Sequence, residues 1–192
     1  MNITSTQNPL IKKIALLSEK SRERKKQGLC VVEGAREIRL ALQGGYSLEN
    51  LLYQPDIFSE RQLNELLSYT TQKLTPIAIS KEVYEKISYR SSTEGVIALV
   101  EVKKHGLDTL AFSTKKPLLL VAEAPEKPGN IGALLRTADA AHIDAVIIAN
   151  PKTDLYNPNI IRSSVGCVFT VPIATGTTAE VIDFLKAKNI SS

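Results

Sequence analysis

The sequence predicts an α/β protein in two parts. A small α/β sandwich occupies residues 1–103, a partial parallel sheet occupies 117–192, and a linker at 104–116 joins them. Two observations predict this. Short apolar runs rich in Val, Ile and Leu, bounded by Gly, Pro, Asn or Ser, alternate with segments whose apolar residues recur at three- and four-residue spacing. In addition, Leu118, Leu119, Leu120, Val121 and Ala122 are apolar at consecutive positions, as a strand buried on both faces requires, and a turn and a helix follow at once.

The elements fall in order. Residues 3–7 are polar. Asn8 then caps a helix, and Pro9 suits its first position. Leu10, Ile14 and Leu17 supply its apolar stripe. The helix is expected to continue through the basic run at 20–26 and to stop near Gly28. Residues 29–32 read as a strand, and 35–43 as a helix ended by Gly44 and Gly45. A strand at 48–53, a helix at 61–69 and a strand at 74–79 follow. Ser80 caps a helix at 81–87, and 95–102 is an apolar strand. The segment 103–116 has weak periodicity and basic ends. It reads as the linker, with one short helical turn at its middle and a solvated His105. Next come a strand at 118–123, a helix at 130–142 capped by Asn130, a strand at 144–149, a helix near 158–164, a strand at 167–171 and a helix at 178–188. His142 closes its helix as a C-terminal residue. Three parallel strands with crossover helices make the first half of a doubly wound sheet.

Composition narrows the function. The chain has 192 residues, 43% hydrophobic and 23% charged, which suits a soluble globular protein with an aliphatic core. Its net charge of +4 divides unevenly: residues 1–103 hold 15 Lys and Arg against 12 Asp and Glu, and residues 104–192 hold 9 against 8. Any preference for an anionic partner leans on the first half. Cys30 and Cys167 lack metal-ligand spacing and are not joined by His105 or His142, so no metal is expected and two reduced thiols are. No apolar run approaches the ~20 residues that span a bilayer, and no signal peptide is recognisable, so a cytoplasmic protein is expected. P-loop, zinc-hydrolase and serine-esterase motifs are absent. The turn Gly129-Asn-Ile-Gly132 is one glycine short of a dinucleotide fingerprint. The following strand ends in Asn150, where such a site expects an acid.

Two places carry candidate chemistry. On the helix after the turn, Ile131, Leu134, Leu135 and Ala138 form the packing stripe, while Gly132, Ala133, Arg136 and Ala140 lie on another face. One long cation among the smallest residues lets a partner come close to the backbone. The alternative is an exposed pair between Arg136 and Asp139, contributing a few tenths of a kcal/mol. The second place is the run Lys20-Ser-Arg-Glu-Arg-Lys-Lys26, in which Arg22, Arg24, Lys25 and Lys26 would grip RNA phosphates or simply form a solvated face.

A wider pattern joins these segments. Asn130-Ile-Gly-Ala-Leu-Leu-Arg136-Thr-Ala-Asp resembles motif 1 of the SpoU/TrmH family of SPOUT RNA methyltransferases. Asp154-Leu-Tyr-Asn-Pro158, with Ile161-Arg-Ser-Ser-Val-Gly-Cys-Val-Phe-Thr-Val-Pro172, resembles its motif 2. In the first half, Ile3-Thr-Ser-Thr-Gln-Asn-Pro9, Val31-Val-Glu-Gly34 and Thr93-Glu-Gly-Val-Ile-Ala-Leu-Val100 resemble recurring segments of that family's RNA substrate-binding domain, itself similar to a ribosomal protein's fold.

The resemblance implies an α/β knot, S-adenosylmethionine as cofactor, structured ribosomal or transfer RNA as partner, a ribose 2′-hydroxyl as methyl acceptor, and a homodimer. It implies Arg136 and Asn130 as catalytic residues and Arg162, Ser163 and Ser164 as RNA contacts. The family assigns its motif 1 arginine a role in removing the hydroxyl proton. A guanidinium is almost never deprotonated, so a two-pronged phosphate clamp that stabilises the developing alkoxide is an equal alternative. The family's third motif, Gly-x-Glu-Gly and later Ser-Leu-Asn, has no counterpart after Val171. The main cofactor residues are therefore expected beyond Ser192, and the 192-residue chain is expected to bind S-adenosylmethionine poorly. The rival expectation is an RNA-binding module without catalysis.

Overall fold

The structure, a computed structural model, describes residues 2–89 and 94–190. It has two compact units. One takes in the described residues up to Val102 together with Tyr156–Pro158, and the other covers Lys103–Leu155 and the described residues from Asn159 onward.

The first unit contains β1 (Asn2–Ile3), α1 (Pro9–Glu19), α2 (Ser21–Gln27), β2 (Leu29–Glu33), α3 (Ala35–Gln43), β3 (Leu48–Tyr53), α4 (Glu60–Leu67), β4 (Ile77–Ile79), α5 (Lys81–Ile87) and β5 (Val96–Glu101). The five strands form a mixed sheet in the order β1-β4-β3-β5-β2, with β1 and β3 parallel to β4 and β5 antiparallel to both β2 and β3. Alternation along the strands builds the core. Leu29 and Val31 of β2 and Ile97 and Leu99 of β5 join Ile11, Ile14 and Leu17 of α1 and Val83, Tyr84 and Ile87 of α5. Cys30, Val32, Ala98 and Val100 are buried as well, and α3 packs against these two strands. The expected caps form: Asn8 Oδ1 accepts from the Leu10 amide at 2.9 Å, and Ser80 Oγ accepts from the Val83 amide at 3.3 Å.

Three readings are corrected here. The single helix expected from Pro9 to the basic run is two, broken at Lys20, whose φ of −107° and ψ of 108° are extended. No Pro or Gly causes the break. Arg24 Nη1 turns back from α2 and donates to the Leu17 carbonyl at 2.6 Å and the Ser18 carbonyl at 3.2 Å, which closes the end of α1. The strand expected at 74–79 narrows to β4, and its partner β1 lies in the stretch read as a polar lead-in. Of the segment read from Thr93 to Val100, Thr93 lies outside the described residues.

The second unit contains β6 (Leu119–Glu123), α6 (Pro128–Ala140), β7 (Ala145–Ala149), α7 (Pro158–Ser163, from Asn159 on), β8 (Ile173–Gly176) and α8 (Thr178–Ala187). Its strands are parallel in the order β6-β7-β8. All five residues of β7 are buried, as its unbroken apolar run requires. Ala145, Ile147 and Ala149 pack with Leu110, Ala174 and Val181, against which Leu107, Phe112 and Phe184 lie partly buried.

Leu107, Leu110 and Phe112 come from the segment read as a linker, which folds as part of this unit. Its short turn is a 3-10 helix at Leu107–Thr109. His105 is not solvated. Its carbonyl accepts from the Thr175 amide at 2.6 Å and its Nδ1 lies 3.1 Å from the Ile173 carbonyl, so the segment runs beside β8. Burial, first, and the charge of Lys103 lower the His105 pKa, while the Ile173 carbonyl works the other way.

The strand expected at 167–171 is instead a 3-10 turn, Cys167–Phe169. Val165 and Gly166 hold φ of 58° and 86°, which breaks extended backbone just before it. Val168, Phe169 and Val171 are apolar because they pack, and the third strand starts later, at Ile173. Asn130 is not the cap of α6. Lys127 takes that position, Pro128 opens the helix, and Asn130 sits inside the first turn.

Candidate functional site

The site is built on α6. Ile131, Leu135 and Ala138 are fully buried, which fixes the rotation of the helix against β7 and the 3-10 turn. Arg136 is exposed. Among the described residues it forms no hydrogen bond and no ion pair, so the pair with Asp139 allowed by the spacing is not made. Asp139 faces the thiol of Cys167 instead. Burial, first, and then the negative charge and hydrogen bond of Asp139 push that thiol up, partly opposed by the nearby Arg136. A protonated thiol donates to the carboxylate and leaves Arg136 to other partners.

Gly132 corrects the expected shape of this face. It is buried, and the neighbour it admits belongs to the chain itself. A Cβ at Gly132 would overlap Ser163 Oγ and stand 2.7 Å from the Ser164 amide nitrogen. The end of α7 therefore packs on α6 one turn before Arg136, which brings the two motif segments together. Asn130 is exposed on the same helix but points about 120° away from Arg136 around the axis, given ~3.6 residues per turn.

The serines of the second motif serve the backbone. Ser164 is fully buried; its hydroxyl donates to the Ile161 carbonyl at 3.1 Å and accepts from the Val168 amide at 3.4 Å. Ser164 cannot meet RNA as expected. Ser163 is half-buried and its hydroxyl donates to the Asn159 carbonyl at 2.5 Å. Arg162 is exposed. In the first unit, Arg22, Lys25 and Lys26 are exposed along α2, as phosphate contacts require. Arg24 is not: it is 3% exposed and its guanidinium is held by the α1 carbonyls, so it leaves the RNA-contact set.

One cluster escaped the sequence reading. At the C-terminal ends of the three parallel strands, Glu123, Asn150 and Thr178 hydrogen-bond to one another. The bonds from Asn150 and Thr178 hold the Glu123 carboxyl below its ordinary value, helped by Lys152. A signal was present, because an Asn directly after an apolar strand tolerates left-handed backbone, and Asn150 has a φ of 47°.

The second unit is thus a parallel α/β unit whose crossover helix presents Arg136, exposed and without a hydrogen bond or ion pair among the described residues, and the exposed cations of α2 belong to the other unit. Comparison with known proteins makes the class specific. Residues 8–98 match the MRM3-like substrate binding domain and residues 117–192 match the SpoU rRNA Methylase family. A solved structure titled RNA 2′-O ribose methyltransferase is 38% identical with a TM-score of 0.81, covering 98% of this chain and 70% of that one. The 23S rRNA (uridine(2479)-2′-O)-methyltransferase of Streptomyces viridochromogenes is 30% identical over 176 residues, 91% of this chain and 60% of that protein. The SpoU methyltransferase AviRb of the same organism, solved in complex with the cofactor AdoMet, is 28% identical with a TM-score of 0.82 over 95% of this chain and 69% of that one. The chain belongs to the SpoU rRNA methylase family. It spans about six tenths of the length of the curated relatives it matches.

Proposed function

We propose that the protein transfers a methyl group from S-adenosylmethionine to a ribose 2′-hydroxyl of ribosomal RNA. The observation that carries this reading is Arg136, exposed and, among the described residues, unpaired, on a helix whose neighbouring turn is packed tightly on the second motif segment. The relatives named for 23S rRNA methylation, and the AdoMet-bound structure of the SpoU methyltransferase AviRb, support it. In this reading the first unit is the RNA substrate-binding domain, 1–103, and 117–192 is the first part of the methyltransferase domain. Arg22, Lys25 and Lys26 hold phosphates. The site of action is then the cytoplasm, where ribosomal RNA is found, and the full-length protein is a homodimer.

S-adenosylmethionine supplies the methyl group when bound. The side chains at the strand ends, Glu123, Asn150 and Thr178, are engaged with one another and do not form a ready donor set for it. The chemistry assigned to this chain therefore concerns RNA. The Arg136 guanidinium holds a phosphate oxygen through paired N–H donors and places positive charge beside the 2′-oxygen as its proton leaves. It orients and stabilises without itself taking the proton, which passes to a phosphate oxygen of the substrate or to water.

The engagement of those three side chains also favours a second reading, an RNA-binding module without catalysis. Tritium transfer separates the two. The full-length protein should transfer label from S-adenosylmethionine to ribosomal RNA of a deletion strain, in alkali-resistant dinucleotides. Label in transfer RNA alone would move the substrate. Absence of label with RNA binding intact would leave the binding module.

A further inference from the structure

At the C-terminal ends of β6, β7 and β8 three side chains close a ring. Asn150 Nδ2 donates to Glu123 Oε1 at 2.9 Å and to Thr178 Oγ1 at 2.6 Å, and Thr178 Oγ1 donates to Glu123 Oε2 at 2.7 Å. The two amide hydrogens and the hydroxyl hydrogen meet three acceptors, and the carboxylate only accepts. The ring closes with one amide and one ionised carboxylate, and two carboxylates would break it.

Each member stands at the root of a different segment. Glu123 precedes Ala124, whose φ of 44° starts the loop into α6 with Asn130 and Arg136. Asn150, with a φ of 47°, starts the loop that leaves β7 toward Arg162 and Ser163. Thr178 opens α8. Left-handed backbone is unfavourable for Ala and tolerated by Asn. Both turns are held by backbone bonds across the sheet, Ala124 amide to Ala149 carbonyl and Asn150 amide to Gly176 carbonyl, each 2.8 Å. The ring ties these two strained turns to each other. The charged groups around it are Lys152, which acts on Glu123, and Glu180, whose carboxylate is held by Thr177.

We propose that Asn150 is a positioning residue: through Glu123 and Thr178 it sets the spacing of the loops that carry the α6 and α7 segments, and hence the placement of Arg136 relative to Arg162. The catalytic part of this inference rests on the methyltransferase reading, and the loop-setting part does not.

Swapping the ring's groups tests it. Asn150→Asp sets two carboxylates against each other. The double variant Glu123→Gln/Asn150→Asp restores one amide and one carboxylate. Asn150→Gly keeps left-handed backbone while removing the side chain, which guards against a variant that fails to fold. Amide hydrogen exchange of the 192-residue chain should rise about tenfold or more over 124–130 and 150–155 in both single variants and return toward the parent in the double variant. Asn150→Asp alone should regain protection as pH falls and the two carboxyls share a proton. Single-turnover methyl transfer by the full-length protein should follow the same order. Unchanged exchange in both single variants, or a double variant as unprotected as Asn150→Asp, overturns the ring's role. Methyl transfer equal in all variants, with exchange changed, overturns its bearing on catalysis. A parent protein that transfers no methyl overturns the methyltransferase reading, while exchange still decides the ring.

Discussion

Gly132 rests its bare Cα against the backbone at Ser164: a Cβ there would lie 2.7 Å from the Ser164 amide nitrogen and 2.8 Å from the Ser163 carbonyl carbon. Helix propensity alone would favour Ala over Gly by about 1 kcal/mol. Overpacking against backbone costs about 1–3 kcal/mol, and α7 is held by its own packing. Gly132→Ala is expected to lower the urea-unfolding free energy. Gly129→Ala, where a Cβ meets nothing within 4 Å, should leave it level or raise it. Equal stability of the two variants would mean that α7 can retreat from α6.

Arg24→Ala should destabilise the first unit. Two carbonyls at the end of α1 lose their donor, and leaving buried acceptors unsatisfied costs about 1–3 kcal/mol. Arg24→Lys should recover only part of this, since one ammonium cannot copy the reach of a guanidinium. Chemical denaturation of the single variants measures the effect, and an Ala variant as stable as the parent would return Arg24 to the exposed set.

The exposed neighbours of Arg24 should behave oppositely. Arg22→Ala/Lys25→Ala/Lys26→Ala should leave folding stability within about 0.5 kcal/mol. It should also flatten the dependence of RNA affinity on salt by up to about 2–3 in log–log slope, at about 0.7–0.9 per phosphate lost. Filter binding across a salt series reads this, and an unchanged slope would make the run a plain solvated face.

Arg136→Ala is expected to reduce single-turnover methyl transfer by the full-length protein about 10²–10³-fold, the usual effect of removing one preorganised charge-stabilising donor. Stability should hold, because Arg136 is exposed and lies off the stripe of Ile131, Leu135 and Ala138. Arg136→Lys should fail largely too, since a point charge does not reproduce a planar fork. A near-normal rate in the Ala variant would remove Arg136 from the reaction.

His105 predicts a pH dependence. Its folded pKa lies below the ordinary 6.5, chiefly because burial disfavours the charged ring. Above 6.5 both folded and unfolded chains hold it neutral. As pH falls below 6.5 the unfolded chain takes up a proton that the folded chain resists, so the stability of the second unit declines. His105→Asn keeps a donor for the Ile173 carbonyl and should flatten this decline as pH falls below 6.5, as thermal unfolding across a pH series would show.

Much of the fold was legible in the chain. The apolar runs at 118–122 and 145–149 marked parallel strands, although the burial expected of the first belongs to β7: β6 ends the order β6-β7-β8 and leaves Leu118 and Val121 exposed. Asn8, Ser80 and Gly28 marked helix ends, because capping and patterning act between residues close in sequence. The same locality explains the reach of the motif reading: Asn130 to Asp139 is one helix, so its order alone put Arg136 on a face apart from the packing stripe.

The rest depended on partners that spacing does not name. The apolar residues Val168, Phe169 and Val171 looked like a strand, yet φ values at Val165 and Gly166 set by the packed end of α7 turned the chain into a 3-10 helix. Arg24 looked like its exposed neighbours in the basic run, and only the break at Lys20 buried it against α1. His105 looked solvated until the linker segment lay beside β8. The sequence by itself determined strands such as β2, β3, β5 and β7, the caps at Asn8 and Ser80, and the helix that carries Arg136. Tertiary structure alone decided that Gly132 is filled by Ser163 and Ser164, that Asp139 turns to Cys167 rather than to Arg136, and that Glu123, Asn150 and Thr178 close a ring. The physical reason is that local hydrogen-bond geometry and side-chain periodicity are written along the chain, while a side chain's long-range partner exists only after the strands have aligned.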